Sequence, residues 1–112
     1  REDDLGLFTM FSGINRRIES QQFRGGRASV IFGGIDLDFT GAQLAGGEAT
    51  VEVTAILGGM DVRVPRNWKV EVDGNAILGG VEDKHKSEIK EENPPKLYIR
   101  ATAILGGIDI KN

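Results

Sequence analysis

Apolar and polar residues alternate along most of this chain with a period of two. Val51, Val53, Ala55 and Leu57 share one parity, while Glu52, Thr54 and Ile56 take the other. Val70, Val72, Gly74, Ala76 and Leu78 alternate with Lys69, Glu71, Asp73, Asn75 and Ile77 in the same way. So do Leu97, Ile99, Ala101, Ala103 and Leu105 with Tyr98, Arg100, Thr102 and Ile104. Successive side chains of a strand point to opposite faces, so these runs predict half-buried strands. After each run the phase inverts. Met60, Val62 and Val64 form the next apolar set, whereas a straight strand continuing from Leu57 would turn Gly59, Asp61 and Arg63 inward. Ala28, Val30 and Phe32 are likewise followed by Ile35, Leu37 and Phe39. A one-residue slip turns every side chain over, so a bulge or corner must absorb it. Glycine tolerates positive φ and close backbone approach, which assigns that corner to the Gly-Gly pairs.

Those pairs sit in a phrase that recurs five times. Its copies are Met10–Asn15, Ile31–Asp36, Ile56–Asp61, Ile77–Glu82 and Ile104–Asp109, the last three introduced by Ala55, Ala76 and Ala103. Counted from positions 12, 33, 58, 79 and 106, the steps are 21, 25, 21 and 27 residues. The unit is therefore about 21 residues long, and the longer steps carry insertions. Thr40 to Glu48 accounts for one insertion. Asp83 to Lys96, charged, closing on Pro94-Pro95 and apolar only at Ile89, accounts for the other and reads as a mobile loop. Val64-Pro65-Arg66-Asn67-Trp68 reads as a tight turn, since proline fixes φ and ends the ladder. Ile14 to Gln22 reads as strand and turn by analogy with the other units. Units of this length stacked in register predict an all-β fold, a parallel β-solenoid of about four to five rungs with Gly-Gly corners. An antiparallel β-sandwich of the same strands is the alternative. Residues 8–112 are expected to form the single repeat domain, and Arg1-Glu2-Asp3-Asp4 reads as the opening of a charged linker, residues 1–7, from an upstream region.

Composition narrows the functional classes. A chain of 112 residues holds one domain, and a formal charge of −3 with scattered positives gives no footprint for nucleic acid. Cysteine is absent, which excludes disulfides and thiolate metal sites. No apolar run reaches the roughly 18–20 residues of a bilayer span, so no membrane insertion by this domain is expected. The glycines match neither a dinucleotide nor a Walker phosphate loop. His85, the single histidine, has no converging partner for acid–base or metal chemistry. No catalytic, cofactor or metal residue can be named, and the expected protein is no enzyme and needs no cofactor.

Four features are candidates for binding. Asp36, Asp61, Glu82 and Asp109 would stack as an acidic stripe, with one carboxylate per rung and Lys or Arg close behind, which favours a salt-bridged face over a calcium site. Trp68, after the turn, is either an exposed anchor or a side chain folded back over a rung. Ile31, Ile56, Ile77 and Ile104 oppose the main apolar face of their strands. They form either an outward apolar ladder for docking or self-association, or a second packed layer. The unpaired ends of a solenoid offer a route to homo-oligomers.

The repeated Ala-Ile-Leu-Gly-Gly phrase, the block Val62 to Val70 with its Val-Pro-x-x-Trp, and the ending Ala103 to Asn112 together resemble a known family. It is the C-terminal domain of LiaF-like, cell-wall-active antibiotic response proteins, and the similarity runs from Phe8 onward. The resemblance implies a non-enzymatic regulatory domain of an envelope-stress response, tethered to a bacterial membrane by an anchor upstream of this chain. It also implies a membrane protein partner such as a sensor histidine kinase. A self-assembling scaffold and an envelope-ligand binder are the alternatives.

Overall fold

The alternating runs form ten strands in the computed structural model, which describes residues 3–11 and 13–112. They come in pairs, one pair per repeat. The pairs are β1 (Asp4–Thr9) and β2 (Gly13–Arg17), β3 (Gly25–Val30) and β4 (Gly34–Asp38), and β5 (Glu48–Ala55) and β6 (Gly59–Arg63). Then follow β7 (Lys69–Ile77) and β8 (Gly80–Asp83), and β9 (Lys96–Ile104) and β10 (Gly107–Lys111). The first strand of every pair lies in one five-stranded sheet and the second in the other, and the paired strands are parallel throughout. Each repeat is thus one rung of a parallel β-solenoid, as the periodicity predicts. Parallel pairing removes the antiparallel sandwich.

Rung order departs from sequence order. The sheets run β1-β3-β5-β9-β7 and β2-β4-β6-β10-β8, so the fifth repeat is inserted between the third and the fourth. Leaving β6, the chain skips one slot through Val64–Trp68, builds the fourth rung, and returns through the long Asp83–Lys96 segment to fill the gap. The inserted rung is held from both sides: the Val64 amide donates to the Lys111 carbonyl (2.8 Å) and the Lys84 amide to the Ile110 carbonyl (2.7 Å). Interior chemistry explains the exchange. At one core-facing ladder position stand Leu37, Val62 and Ile110, each 1% exposed or less, but the fourth repeat puts Asp83 there and the first puts Arg16. A charge enclosed between two rungs would lose its hydration without a partner. Repeats one and four therefore belong at the ends, and the apolar fifth repeat belongs between.

The core is the set of inward ladders from the six strands of the inner rungs, among them Val51 with Ile99 and Val62 with Ile110, all 1% exposed or less. At the turn end it is closed by aromatics. Phe23 packs edge-on against Phe39 at 5.2 Å, and Phe39 meets Trp68 at 6.3 Å. Trp68 is 3% exposed, so it is a cover for the rungs and not an anchor for a ligand.

The corners carry a close approach. An added Cβ on Gly58 would lie 2.4 Å from the Gly33 carbonyl oxygen, on Gly106 2.4 Å from that of Gly58, and on Gly79 2.3 Å from that of Gly106. The first glycine of these three pairs thus lets the backbones of successive rungs touch. The second is less crowded: on Gly59 a Cβ would meet only the Gly107 oxygen at 4.0 Å.

Two sequence expectations need revising. Of the seven residues read as a linker, Asp4 to Leu7 already pair with β3, with Leu5 buried; Arg1, Glu2 and also Ser12 of the first phrase lie outside the described residues. Alternating Leu5, Leu7 and Thr9 was a short strand signal that the charged opening obscured. Between Asp83 and Lys96, residues 84–95 have no regular structure, but the first half of the segment is fastened. The Lys86 amide donates to the Asn112 side-chain oxygen (2.6 Å), Ser87 Oγ to the Trp68 carbonyl (2.9 Å) and the Glu88 amide to the Arg66 carbonyl (2.6 Å).

Candidate docking surface

Where each rung turns from one sheet to the other, the chain presents apolar side chains to solvent. The strand ends at Ala55 and the next begins at Gly59, so Ile56 and Leu57 lie in the bend itself. Alternation placed Leu57, Leu78 and Leu105 inside and their isoleucine neighbours outside. The structure rotates that assignment. Ile31, Ile56 and Ile104 are half-buried, while Phe32, Leu57 and Leu105 are 43%, 42% and 52% exposed. At the two end rungs both residues are out, Ile77 at 62% with Leu78 at 84%, and Met10 at 48% with Phe11 at 75%. The four isoleucines therefore border the apolar strip and, except for Ile77, are not its crest.

The crest is continuous because the corners stack like the strands. The Phe32 amide donates to the Met10 carbonyl (2.6 Å), Leu57 to Ile31 (2.7 Å) and Leu105 to Ile77 (2.9 Å). In spatial order it runs Phe11, Phe32, Leu57, Leu105, Leu78. At the usual strand spacing of about 4.8 Å it extends roughly 19 Å. Phe11 and Phe32 lie face to face, with ring centroids 5.4 Å apart and 7° between planes. Sequence reasoning missed these residues because period two was extended one step past the last paired residue.

Two of the leucines are held in an unfavourable backbone conformation. Leu78 and Leu105 have φ of 54° and 57°, the left-handed region, where a residue with a Cβ is disfavoured by about 1–2 kcal/mol. Asparagine or glycine would sit there more easily. An exposed apolar residue at such a site gains little from burial, which leaves its side chain as a reason for its presence.

Beyond the glycines the outer face of the second sheet carries two charged ladders. Asn15, Asp36, Asp61, Asp109 and Glu82 form one; Arg17, Asp38, Arg63, Lys111 and Lys84 form the other. They are cross-linked: Lys84 to Glu82 at 3.2 Å and to Asp109 at 4.0 Å, and Lys111 to Asp61 at 3.6 Å. The hydrogen bond to Glu82, then the charges of Asp109 and Glu82, raise the Lys84 ammonium above its ordinary pKa. Burial pushes the Asp38 carboxyl up, but hydrogen bonds from the Thr40 hydroxyl (2.6 Å) and amide (2.9 Å), with the Arg17 and Arg63 charges, hold it below 3.8 overall. Surface troughs of about 490 and 530 Å³ follow these ladders, the first with walls of mixed sign and the second lined by Asp36, Asp61 and Asp109 without a basic residue. Among the described residues, no three His, Cys, Asp or Glu side chains converge as a metal site. His85 Nδ1 contacts the Asp83 carboxylate.

No helix of the described residues is long and apolar enough to cross a membrane. No curated protein and no solved structure matches the chain. One family profile does, that of the C-terminal domain of LiaF, the cell wall-active antibiotics response protein, and it covers residues 10–110. That span includes every corner and the strands from β2 onward except the last residue of β10. The family is a membrane-associated regulatory response family linked to a signalling system, and it is not a known enzyme family. This chain, with four Gly-Gly corners among its five repeats, belongs to the LiaF-like C-terminal family of the cell-wall antibiotic response.

Proposed function

We propose that this domain acts by docking: the apolar crest at the corners engages a membrane protein of the envelope-stress signalling system, such as a sensor histidine kinase, and stress relieves the contact. In this reading the domain hangs from a membrane anchor preceding residue 1 and holds its partner inactive while bound. The observation that carries it is the crest itself. Large apolar side chains stand exposed at every rung in line, two of them in left-handed backbone that the fold alone would fill better with glycine or asparagine. The acidic ladder beside the crest gives the partner a polar rim to match. An envelope-ligand binder has less support, because Trp68, the anchor it would use, is buried.

The test exploits the left-handed leucines. Leu78→Asn with Leu105→Asn relieves backbone strain while removing two apolar contacts. Thermal stability is expected to hold or rise, while binding to the membrane-embedded kinase falls by about tenfold or more, the loss of two side chains worth about 1 kcal/mol each. A clear loss of stability with unchanged binding would overturn the reading.

A further inference from the structure

We propose that this chain associates head to tail with further copies of itself, the open edge of β7 and β8 receiving β1 and β2 of the next molecule. The proposal is independent of which partner the crest engages. Both ends of the solenoid present unpaired strand edges in both sheets, because β1 and β2 pair only with β3 and β4, and β7 and β8 only with β9 and β10. The nine-residue β7 edge has no proline to blunt it. Its interior side is also unfilled. Val72 and Val81 are half-buried, and with Gly74, Ala76 and Asp83 they line an open hollow of about 320 Å³.

Continuing the register that relates the five rungs says what would fill it. On the first sheet Val72 would neighbour Leu5, Gly74 would neighbour Leu7 and Ala76 would neighbour Thr9. The half-buried Leu7 thus falls beside Gly74, against which Val81 of the same rung packs. On the second sheet Val81 would neighbour Ile14, and Asp83 would neighbour Arg16. The two charged residues that confine repeats one and four to the ends are opposite in sign and share one ladder position. Arg16 already has an interaction partner, so the argument rests on sign and register. Stacking would also join Leu78 to Phe11, 84% and 75% exposed at opposite ends of the crest, and carry it from copy to copy. A two-fold pairing of the β7–β8 edge with itself is disfavoured, since matching both strands brings two Asp83 carboxylates together in one interior. A contact between unlike surfaces repeated along the solenoid axis leaves a free edge at each end, so growth continues past two copies.

Sedimentation velocity of the 112-residue chain over a wide concentration range tests this. The expected result is concentration-dependent growth beyond the dimer. Asp83→Lys or Arg16→Glu alone should move the association to about tenfold higher concentration, and the double exchange should bring it back. Circular dichroism establishes that each variant is folded. Asp83→Asn, on the exposed edge, provides the same direction of change should either reversal fail to fold. A monomer at every concentration would mean that the end charges only guard the edges. A species that stops at the dimer would mean a self-paired edge, and an Arg16→Glu variant that associates as wild type would remove the complementary pair. Each of these overturns the proposal.

Discussion

At the scale of single residues, the corner glycines divide by what stands over them. Gly58→Ala would drive a Cβ to 2.4 Å from a backbone oxygen that cannot move without shifting the neighbouring rung. A loss of roughly 2–4 kcal/mol is expected in urea melts, in the range of overpacked interiors. Gly59→Ala, with its nearest contact at 4.0 Å, should change stability by less than about 1 kcal/mol. Equal effects would show that the corner is held by something other than backbone contact. Asp38 gives a second residue-scale expectation. Its folded pKa lies below 3.8, so its contribution is complete above the unfolded value and fades as pH falls through the lower folded one. Asp38→Asn should therefore be less stable than wild type at neutral pH, with the deficit closing below pH 3.8. A deficit that persists unchanged in acid would point to lost packing in place of lost charge. The corner glycines were legible as corners from the phase inversion. Their crowding was not, because it depends on which rung lies above, a fact of topology that no local pattern encodes.

At the scale of elements, the insertion of β9 and β10 between the third and fourth rungs sets how much each strand matters. Ile99 and Val72 occupy the same ladder position, but Ile99 lies between two strands at 1% exposure while Val72 is half-buried at the edge. Ile99→Ala should cost about 2–5 kcal/mol and Val72→Ala about 1 kcal/mol or less, read from chemical denaturation. Similar losses would argue for rungs stacked in sequence order. Strands, their apolar faces and the parallel stacking could all be read from the alternation at 51–57, 70–78 and 97–105. Rung order could not, although its cause was visible. Asp83 and Arg16 stand at positions where the other repeats carry leucine, valine or isoleucine, and only an end rung tolerates them. The buried Leu5 was hidden for a related reason: Arg1 to Asp4 dominate the opening, while the strand beyond them has one glycine at an outward position.

On the scale of the whole molecule, a five-rung solenoid of 39 × 27 × 17 Å separates its surfaces by role. Its two sheets bury the ladders, its turn end is sealed by Phe23, Phe39 and Trp68, its second-sheet face is salt-bridged, and its corner edge is apolar. Most pairings join residues far apart in sequence, and the fourth rung finds its strand partners only in the fifth, so folding in milliseconds to seconds is expected in stopped-flow refolding. Refolding in microseconds would contradict that topology. The central claim is that the corner crest, not a sheet face, is the docking surface. Site-specific photo-crosslinking in bacterial membranes, with the probe placed in turn at Leu57, Leu105, Glu52 and Arg100, tests it most directly. The account predicts crosslinks to the signalling partner from Leu57 and Leu105 and none from Glu52 and Arg100 on the first-sheet face. Crosslinks from Glu52 and Arg100 with silence at the leucines would contradict it.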